Sequence, residues 1–509
     1  IAAIDRALTR VAAALVAVTI VLIVAFQATT VAGRGSDVVV DVWVADLTFP
    51  GYMDRLHRLG AEFERAHPGY RIEIQGNDFR KLPMRLAEAA AAGRVPAIAE
   101  YYFYQTPVAL DSRAPGGGPR YTSVQQAIGG RTEILGEPVV VDDILPVVRD
   151  YYTIDGDLVA MPTVVTTMLL YANADLLDAA GVTTLPATWG QVEAACRAVA
   201  ALPQPPPAAI TWANHGLFFQ QAMAVQGGLL ADNDNGRAGP AGTVRLASPE
   251  MLAWVRWWRQ LHRDGHYLDT GKVPDWEGTF KAFATGEVAL RLTSSNDLDY
   301  MTHAAQQGGF RLAVGRFPAR DGVPYGGNMI AGTALWLADG LDERTRDGAL
   351  AFMQFLNNPS NAADRHRVNS FVPLTRSAFE LLERDGWFAE HPHHRVASDQ
   401  LSTYPAGAGA GYPPLRGALY GDFAGAQDVM TRAMGDVLRT DVDPGDRFAA
   451  AEAEAGALLA AYRADCADAG PTRPESLRVE FFTGAEEYSG ADLENVVALN
   501  RTAAGAAGR

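Results

Sequence analysis

A run of four aromatic residues, Tyr101 to Tyr104, is the first candidate for binding chemistry, and Phe79 precedes it in the chain. Alternation along a strand would place Tyr102 and Tyr104 on one face and the other two rings on the opposite face. Aromatic faces pack well against apolar C–H groups, such as those of a sugar ring. Open α/β sheets bind ligands beyond the carboxyl ends of their strands. Two of the rings are therefore expected to form the base of a ligand site, or else to lie in the core beneath it.

Hydroxyl and amide side chains elsewhere in the chain would complement such rings. The candidates, with Asp78 as a further acceptor, are Thr166, Ser294, Ser295, Asn328 and Gln427. Hydroxyls and amides donate as well as accept hydrogen bonds, so they suit the OH groups of an uncharged solute. For the two serines, the alternative is a structural role as a loop cap. These residue types therefore indicate recognition of a small polar molecule.

The sequence carries no motif that is typical of a catalytic or metal centre. Neither a GxSxG nucleophile elbow nor a phosphate-binding P-loop occurs. The segment His391-Pro-His-His394 lacks an acidic partner at helical spacing, which favours a surface loop over a zinc site. We therefore expect no catalytic residue, no metal and no cofactor. A carboxylate pair acting as in a glycosidase is the alternative that the sequence leaves open.

Length, charge and cysteine content restrict the class of protein. The 509 residues exceed what one hydrophobic core organises, which predicts two large domains. A net charge of −16 argues against nucleic acid as a partner, because binding a phosphate backbone needs clustered Lys and Arg. The two cysteines, Cys196 and Cys466, would form one disulfide in an exported protein or remain as two buried thiols.

The N-terminal residues predict export. An apolar run from Val11 to Phe26, long enough as a helix to span about 24 Å of a bilayer, follows Arg6 and Arg10. The two arginines predict that the N-terminus stays inside and that the bulk of the chain lies outside. Residues 1–36 are then either a cleaved signal peptide or an uncleaved membrane anchor, and the length of the apolar run favours the anchor.

Strand and helix patterns alternate after this segment. Apolar or alternating runs predict strands at Val38–Val44, Arg71–Gln75 and Ala97–Tyr101, and helical spacing predicts helices at Tyr52–His67 and Leu82–Gly93. This order predicts a mostly parallel sheet with right-handed crossovers.

A tryptophan-rich helix is predicted further along the chain. Trp254, Trp257 and Trp258 recur at helical spacing, so they are expected to form one buried stripe instead of a platform for a ligand. The other helices that the pattern predicts in this half are Trp189–Ala200 and residues 428–464.

The stretch from Asp157 to Leu176 is interpreted as a passage between two sheets. Pro162 cannot donate to a sheet ladder, so the runs before and after it are not expected to form one central strand. A chain that leaves one sheet, crosses an extended link and enters another is typical of a two-lobed hinge protein. Two further links are predicted at Tyr325–Asn328 and Ser370–Thr375, and three links together would define a hinge.

Several segments resemble family 1 extracellular solute-binding proteins of ABC importers, in particular the glycerol-3-phosphate-binding group of this carbohydrate-uptake family. They are Ala351–His366, Phe371–Phe379, Asp385–Pro392, Leu170–Asp175 and Gly332–Trp336. The resemblance extends over residues 38–465. It implies an α/β, two-lobed periplasmic-binding-protein-like fold of type II, with a small-molecule solute in the cleft and an ABC permease in the membrane as partner.

The resemblance also implies domain limits and a function. Lobe one is expected to comprise residues 37–162 plus 331–371 and lobe two residues 167–327 plus 375–466, which leaves residues 467–509 as an unassigned tail. The implied function is that of an extracytoplasmic substrate-binding component, which delivers a carbohydrate or glycerol-phosphate-type solute to the permease. The alternatives are a ligand-sensing surface protein with the same fold and a glycosidase-like enzyme.

The ligand contacts of the family transfer to this chain with several departures. The predicted ligand-binding residues are Phe79, Phe103, Tyr104, Thr166, Trp212, His215, Ser294, Ser295, Gly332 and Gln427. Gln427 stands where the family has a phosphate-binding arginine, and a neutral amide holds a phosphate less strongly than a guanidinium does. Arg416 lies nearby in the sequence as a substitute. The predicted ligand is therefore a mono- or oligosaccharide or a glycerophospho-compound.

Overall fold

The structure is a computed structural model that describes residues 37–478, apart from Thr48, Pro50 and residues 406, 407 and 409–411. The predicted signal or anchor segment, residues 1–36, and the tail after Arg478 lie outside the described residues. Within the described part, no helix is both long and apolar enough to span a membrane. The chain folds as a mixed α/β protein built around two main sheets.

The strands are numbered in chain order. They are β1 Val38–Asp46, β2 Tyr70–Asp78, β3 Ile98–Tyr102, β4 Tyr121–Thr122, β5 Glu133–Ile134, β6 Glu137–Pro138, β7 Thr153–Ile154, β8 Asp157–Leu158, β9 Met161–Thr166, β10 Met168–Asn173, β11 Ile210–Thr211, β12 Leu290–Ser294, β13 Leu312–Arg316 and β14 Ala331–Ala338.

The helices are numbered in the same way. They are α1 Tyr52–Ala66, α2 Leu82–Ala91, α3 Thr106–Asp111, α4 Val124–Ile128, α5 Pro146–Tyr151, α6 Ala174–Ala179, α7 Trp189–Ala200, α8 Gly216–Val225, α9 Pro249–Arg263, α10 Trp276–Ala284, α11 Leu298–Gly308, α12 Glu343–Leu356, α13 Pro359–Asn369, α14 Arg376–Arg384, α15 Trp387–Glu390, α16 Val396–Leu401, α17 Phe423–Arg439, α18 Pro444–Ala469 and α19 Pro474–Leu477. In addition, Asp232–Gly236 forms one turn with left-handed backbone at its three central residues.

The first sheet has six strands in the order β2-β1-β3-β14-β4, and β9 also pairs with β14. β1 pairs in parallel with β2 and β3, as the predicted strand–helix alternation requires. β14 runs antiparallel to β3, β4 and β9. Five of the six strands therefore share one direction, as predicted, and β14 alone runs against them. It does so because it enters from the second sheet and not through a βαβ crossover.

Helices α1 and α12 cover the first sheet because their apolar residues form one stripe. In α1, Leu56, Leu59 and Phe63 recur at helical spacing and are buried. The ring of Phe63 lies 5.3 Å from that of Phe352 in α12, so the two helices share this part of the core.

The second sheet has four strands in the order β11-β12-β10-β13. β10 is central and runs antiparallel to β12 and β13. Every residue of β10, Met168–Asn173, is buried. Burial on both faces explains why this strand is a continuous apolar run and shows no alternation.

The tryptophan-rich helix, α9, packs in the helical layer beside the second sheet together with α8, α17 and α18. Trp254 and Trp258 are fully buried and Trp257 is 7% exposed. The prediction that these residues form a core stripe is confirmed. Helix α7 has the predicted bounds, whereas the predicted helix 428–464 is two helices, α17 and α18, because Pro444 starts a new helix with Asp443 as its N-cap.

The passage between the sheets lies at Thr167, the one residue between β9 and β10. Pro162 is part of β9, where it lies opposite Ala334 at a shift of register between the two strands. A bulge of this kind accommodates a proline that cannot donate to the ladder. The first sheet thus extends past Pro162 to Thr166, and the passage lies at residue 167, where the predicted second lobe begins.

The segment after the third predicted link stays near the first sheet before it reaches the second. Helix α14 packs against α13 through Ala363, Ala378 and Leu382, and α15 adds Phe388 to this small cluster. Helix α16 then packs against β13 of the second sheet. The chain returns to the second sheet at α16, later than residue 375.

Candidate functional site

Thr167 is the hub of the passage from the first sheet to the second. It is fully buried, its N–H donates to Ser295 Oγ at 3.2 Å, and its carbonyl oxygen accepts the N–H of Ser295 at 2.8 Å. The hydroxyl of Thr167 donates to the carbonyl oxygen of Met329 at 3.2 Å. Met329 directly follows the second predicted link, Tyr325–Asn328, in the segment between β13 and β14, so the passage at Thr167 is bonded to this segment.

Gln400, in α16, makes three hydrogen bonds at or near Thr167. Its Nε2 donates to Thr167 Oγ1 at 2.9 Å and to the carbonyl oxygen of Met168 at 2.8 Å, and its Oε1 accepts the N–H of Phe317 at 2.8 Å. The side chain is fully buried. Breaking any of these bonds in the core would leave a polar group unpaired, so the amide fixes the geometry of the passage.

The third predicted link, Ser370–Thr375, runs alongside the first. The N–H of Val372 donates to the carbonyl oxygen of Val165 at 2.9 Å. At the start of the link, Ser370 Oγ donates to Asp299 Oδ2 at 2.7 Å, and Asp299 lies in α11 beside the second sheet. Hydrogen bonds therefore join the passage at Thr167 to the segments of the second and third predicted links.

Three aromatic rings contact one another in a row at the carboxyl end of β3, and two of them are stacked. The ring centroids of Phe79 and Tyr102 lie 5.8 Å apart, and those of Tyr102 and Tyr104 lie 5.5 Å apart in nearly parallel planes. We call these three residues the aromatic ladder. The strand ends at Tyr102 and a 3-10 turn, Phe103–Gln105, follows, so the alternation predicted for one continuous strand is wrong beyond Tyr102. The turn nevertheless keeps Tyr102 and Tyr104 together.

Tyr101 and Phe103 contribute to the packing of the first sheet instead. Tyr101 is 2% exposed, and its hydroxyl lies 3.0 Å from that of Tyr121. Phe103 is 1% exposed, and its carbonyl oxygen accepts the hydroxyl of Tyr151 at 2.9 Å. Burial raises the pKa of Tyr151, which keeps this hydroxyl protonated as a donor. Phe103, predicted as a ligand contact, thus anchors the turn that carries Tyr104.

The predicted hydroxyl contacts lie around the hinge. Ser294 Oγ donates to Asn296 Oδ1 at 2.5 Å, and Ser295 Oγ accepts from the N–H of Thr167. Both serines therefore have structural partners, as in the loop-cap alternative. Thr166 is 8% exposed at the last position of β9, next to the passage.

Gly332 occupies a position in β14 that no other residue fits. Its φ is +134°, and a Cβ there would overlap the carbonyl oxygen of Val164 in β9. Two strands approach closely at this point, and glycine permits the approach. Gly332, predicted as a ligand contact, lies opposite Val165 in this pair of strands.

Trp212 and His215 lie at the start of α8 but in different surroundings. Trp212 is fully buried, with ring centroids 4.9 Å from Trp258 and 4.6 Å from Tyr267. The structure thus places Trp212 in the tryptophan core, away from the aromatic ladder. His215 caps α8 through a ring nitrogen, and its ring lies 5.1 Å from that of Trp276.

Two buried glutamines, Gln220 and Gln427, lie on the neighbouring helices α8 and α17. Gln427 lies against Gly216, and Gln220 follows Gly216 by one helical turn. Each side chain is 1% exposed, and neither amide has a hydrogen-bond partner among the described residues. The first turns of α17 also contact the Phe103–Gln105 turn. Since an unpaired buried amide costs free energy, this pair is a candidate to bind the hydroxyl groups of a solute.

Two arginines donate hydrogen bonds to backbone carbonyl oxygens near α5. Arg237 donates to the carbonyl oxygens of Tyr151 at 2.9 Å and Gly417 at 3.0 Å, and Arg416 donates to that of Thr153 at 2.7 Å. They lie at the carboxyl end of α5, whose free carbonyls attract positive charge. Burial lowers the pKa of Arg237 to about 9. Arg416, the predicted substitute for a phosphate-binding arginine, is thereby engaged with carbonyl groups.

Sequence reasoning did not identify Thr167, Gln400 or Arg237. A glutamine in a short helix and an arginine after a polar turn are common surface residues, so neither carries a signal of its own. Gln400 and Thr167 are 233 residues apart in the chain. Their contact depends on how three distant segments pack, and a pattern along one sequence does not contain this information.

The weaker motifs have structural roles. The ring of His391 lies 3.9 Å from that of Trp387, and the ring of His394 lies 5.2 Å from that of His366. Across the described residues, no group of three or more His, Cys, Asp or Glu side chains is placed to hold a metal ion. Cys196 and Cys466 are free thiols, and Cys196 is buried.

Comparisons with known proteins bear on these features. Residues 58–396 match the profile of bacterial extracellular solute-binding proteins. The sn-glycerol-3-phosphate-binding periplasmic protein UgpB of Yersinia enterocolitica is 28% identical over 360 residues, which cover 69% of this chain and 77% of that relative.

Two solved structures share the fold. UgpB from Mycobacterium tuberculosis, in complex with glycerophosphocholine, has a TM-score of 0.61 at 20% identity, over 84% of this chain and 100% of that chain. The sugar-binding protein MalE from Xanthomonas citri has a TM-score of 0.64 at 18% identity, over 84% and 98% of the two chains. The resemblance noted in the sequence is confirmed, and the chain belongs to the family of bacterial extracellular solute-binding proteins.

Proposed function

We propose that this chain is the extracytoplasmic substrate-binding component of an ABC importer and that it captures its solute between two lobes. Each sheet with its helices is one lobe of a type II binding fold, and the lobes meet at Thr167. The single observation that carries the proposal is this hub, where three links join two sheets with separate helical layers. Such links allow one lobe to rotate against the other while each keeps its own core.

The proposed solute contacts come from both lobes. The aromatic ladder belongs to lobe one and offers ring faces to the C–H groups of a solute. Gln220 and Gln427 belong to lobe two and offer unpaired amides to its hydroxyl groups. Because α17 contacts the turn that carries Tyr104, one small molecule can touch the ladder and the amides together.

The chemistry of these groups favours an uncharged, hydroxyl-rich solute. The amides are neutral, and Arg416 donates its hydrogen bonds to carbonyl oxygens. We therefore propose a mono- or oligosaccharide as ligand, with a glycerophospho-compound as the second class. The second class is supported by the relatives that are named for sn-glycerol-3-phosphate and by the fold shared with a glycerophosphocholine complex.

Capture follows from contacts that exist only in the closed form. A solute that touches both lobes binds the closed form more tightly and shifts the equilibrium towards it. A shift from 1:99 to 99:1 needs about 5.5 kcal/mol of differential affinity. A few hydrogen bonds of about 1 kcal/mol each, together with one stacked ring, supply energy of this order.

Export and delivery complete the proposal. Residues 1–36 act as a signal peptide or a membrane anchor, and the closed form docks on a permease in the membrane. Uptake measured in cells that lack this chain tests the importer directly. Uptake at the normal rate would contradict the importer and favour the ligand-sensing alternative.

A thermal-shift screen tests solute capture. The probes are maltose, maltotriose, sn-glycerol 3-phosphate and glycerophosphocholine, each added to the exported part of the chain. A solute at 100 times its dissociation constant adds about 2.7 kcal/mol to the free energy of unfolding, so a ligand raises the melting temperature clearly. No shift with any probe would contradict the proposed ligand classes, and turnover of a chromogenic glycoside would indicate a glycosidase instead.

A further inference from the structure

The last described residues, 462–478, leave lobe two and reach lobe one; we call them the C-terminal clasp. They lie beyond residue 396, where the family profile ends. Tyr462 is 3% exposed near the carboxyl end of α18, and a Cβ at Gly421 in lobe two would overlap its ring. Its hydroxyl donates to Asp111 Oδ2 at 3.0 Å, at the end of α3 in lobe one. One side chain thus contacts both lobes.

The backbone of the clasp continues along lobe one. Gly470, with φ of +81°, lies so close to Asp111 that a Cβ would approach its carbonyl oxygen. Helix α19 packs against α2, and Leu477 is 4% exposed within the hydrophobic core. Gln105 Nε2 then donates to the carbonyl oxygen of Arg478 at 3.3 Å. Gln105 ends the turn that carries Tyr104, so the clasp passes beside the aromatic ladder.

Arg478, at the end of the clasp, forms an ion pair with Asp422 in lobe two. Its Nε and Nη2 donate to the two carboxylate oxygens of Asp422 at 2.9 and 2.5 Å. Asp422 is the N-cap of α17, and its side chain is 4% exposed. A two-pronged pair of charge-assisted hydrogen bonds to a buried carboxylate is among the stronger side-chain contacts. The clasp is therefore held firmly at the lobe from which it starts.

We propose that the C-terminal clasp regulates lobe closure by stabilising the closed arrangement beside the ligand site. The Tyr462–Asp111 and Gln105–Arg478 bonds join the two lobes, so they break when the lobes separate. The Arg478–Asp422 pair lies within the lobe-two side and persists, which keeps the clasp positioned to close again. This inference rests on the proposed function, because only lobes that move need such a regulator.

Hydrogen–deuterium exchange of the full chain without added solute tests the clasp. The variants are Tyr462→Phe, which removes only a hydroxyl, and the double variant Tyr462→Phe/Gln105→Ala. We expect amides of residues 103–111 and 423–430, on the facing lobes, to exchange at least tenfold faster in the double variant and severalfold faster in the single one. Arg447→Ala is the matched control, because it removes an ion pair of 2.7 Å between α18 and Asp436 inside lobe two. This control should exchange at the wild-type rate in both segments.

The possible outcomes distinguish a failure of the clasp proposal from a failure of the proposed function. Wild-type exchange in both facing segments, or acceleration confined to residues 462–478, overturns the clasp. If the clasp fails this test but maltose or glycerophosphocholine, added separately, still slows hydrogen–deuterium exchange in the facing segments, the proposed function stands. If the variants open and neither probe protects any form of the protein, the clasp stands and the proposed solute classes fail.

Discussion

At the scale of single residues, the proposed solute contacts depend most on Tyr102. It contacts Phe79 on one side and Tyr104 on the other, so it is the middle ring of the ladder. Tyr101, its neighbour in the same strand, has its hydroxyl 3.0 Å from that of Tyr121 in the core of the first sheet. Adjacent tyrosines therefore have different roles, and substitutions can separate them.

We expect Tyr102→Leu to weaken binding of the solute identified by thermal shift at least tenfold, which is about 1.4 kcal/mol. The variant keeps an apolar side chain but removes the flat ring face and one edge of the stack. Isothermal titration measures the affinity. Tyr101→Phe is the control, since it removes a hydroxyl from the opposite face of the strand and should leave the affinity unchanged. Equal losses in the two variants would place the solute elsewhere.

Gln400 provides a second test at this scale. Gln400→Leu removes three hydrogen bonds at the hub, and we expect a loss of about 2 kcal/mol in the free energy of unfolding, together with a changed solute affinity. Gln354, also fully buried, accepts the N–H of Val140 within lobe one. Gln354→Leu should lower stability, measured by urea denaturation, without changing the affinity. If the affinity of both variants stays at the wild-type value, the hub does not control closure.

The sequence predicts these residues unevenly, for a physical reason. The aromatic run stands out because four bulky rings in succession are rare at a strand end. Trp212 resembles a binding residue equally well in sequence, yet it packs on Trp258 and Tyr267. An aromatic ring makes the same kind of apolar contact in a hydrophobic core as in a ligand cleft. Only the position of the neighbouring helix decides in which of the two the ring lies.

At the scale of elements, β9 and β14 pair within the first sheet, next to the segments that lead to the second sheet, and this pair tolerates little change. Pro162 and Gly332 both lie in this pair of strands, one at the register shift and the other where the backbones approach. Local rules predicted a break at Pro162, because a proline interrupts a regular ladder. They could not predict that a partner strand far along the chain would shift its register to accept it.

We expect Gly332→Ala to destabilise the protein by more than 1 kcal/mol, an order of magnitude typical of strained backbone (~1–3 kcal/mol). The added Cβ overlaps the Val164 carbonyl group, so the pair of strands has to separate. Gly340→Ala is the control, because Gly340 also has positive φ, +74°, but an added Cβ there would meet nothing within 4 Å beyond its chain neighbours. Urea denaturation should show the larger loss for Gly332, and equal losses would mean that φ alone matters.

At the scale of the whole molecule, two buried ionisable sites couple stability to pH in opposite directions. Burial lowers the pKa of His366 to about 4 and that of His394 to about 3, beside the third link. Their rings lie 5.2 Å apart, so protonation of one opposes protonation of the other. Burial in the first sheet raises the pKa of Glu100 to about 7. Sequence patterns predicted two lobes here, but not which charges the packing would enclose.

The direction of each pH effect follows from comparing the pKa of the group in the folded protein with its pKa in the unfolded chain. Each histidine binds a proton near pH 6.5 in the unfolded chain but only near pH 3 to 4 when folded, so its contribution is present above pH 6.5 and is lost as the pH falls. Glu100 loses its proton near pH 4.5 when unfolded and near pH 7 when folded, so its contribution is present below pH 4.5 and is lost as the pH rises. Between about pH 4.5 and 6.5 the two kinds of group oppose each other, at up to about 1.4 kcal/mol per pH unit for each.

Two single variants should therefore tilt the stability profile in opposite directions. In His394→Gln, we expect the free energy of unfolding to rise less steeply, or to fall, between pH 4.5 and 6.5. The variant lacks the increase in stability that His394 contributes as the pH rises. In Glu100→Gln, we expect it to rise more steeply over the same range. Neighbouring charges, Asp299 near His394 at 3.6 Å and Arg367 beside His366, remain in both variants, so the difference in slope isolates the substituted group. Urea denaturation at pH 4.5, 5.5 and 6.5 measures the slopes, and parallel profiles for the two variants would show that neither site links proton binding to folding.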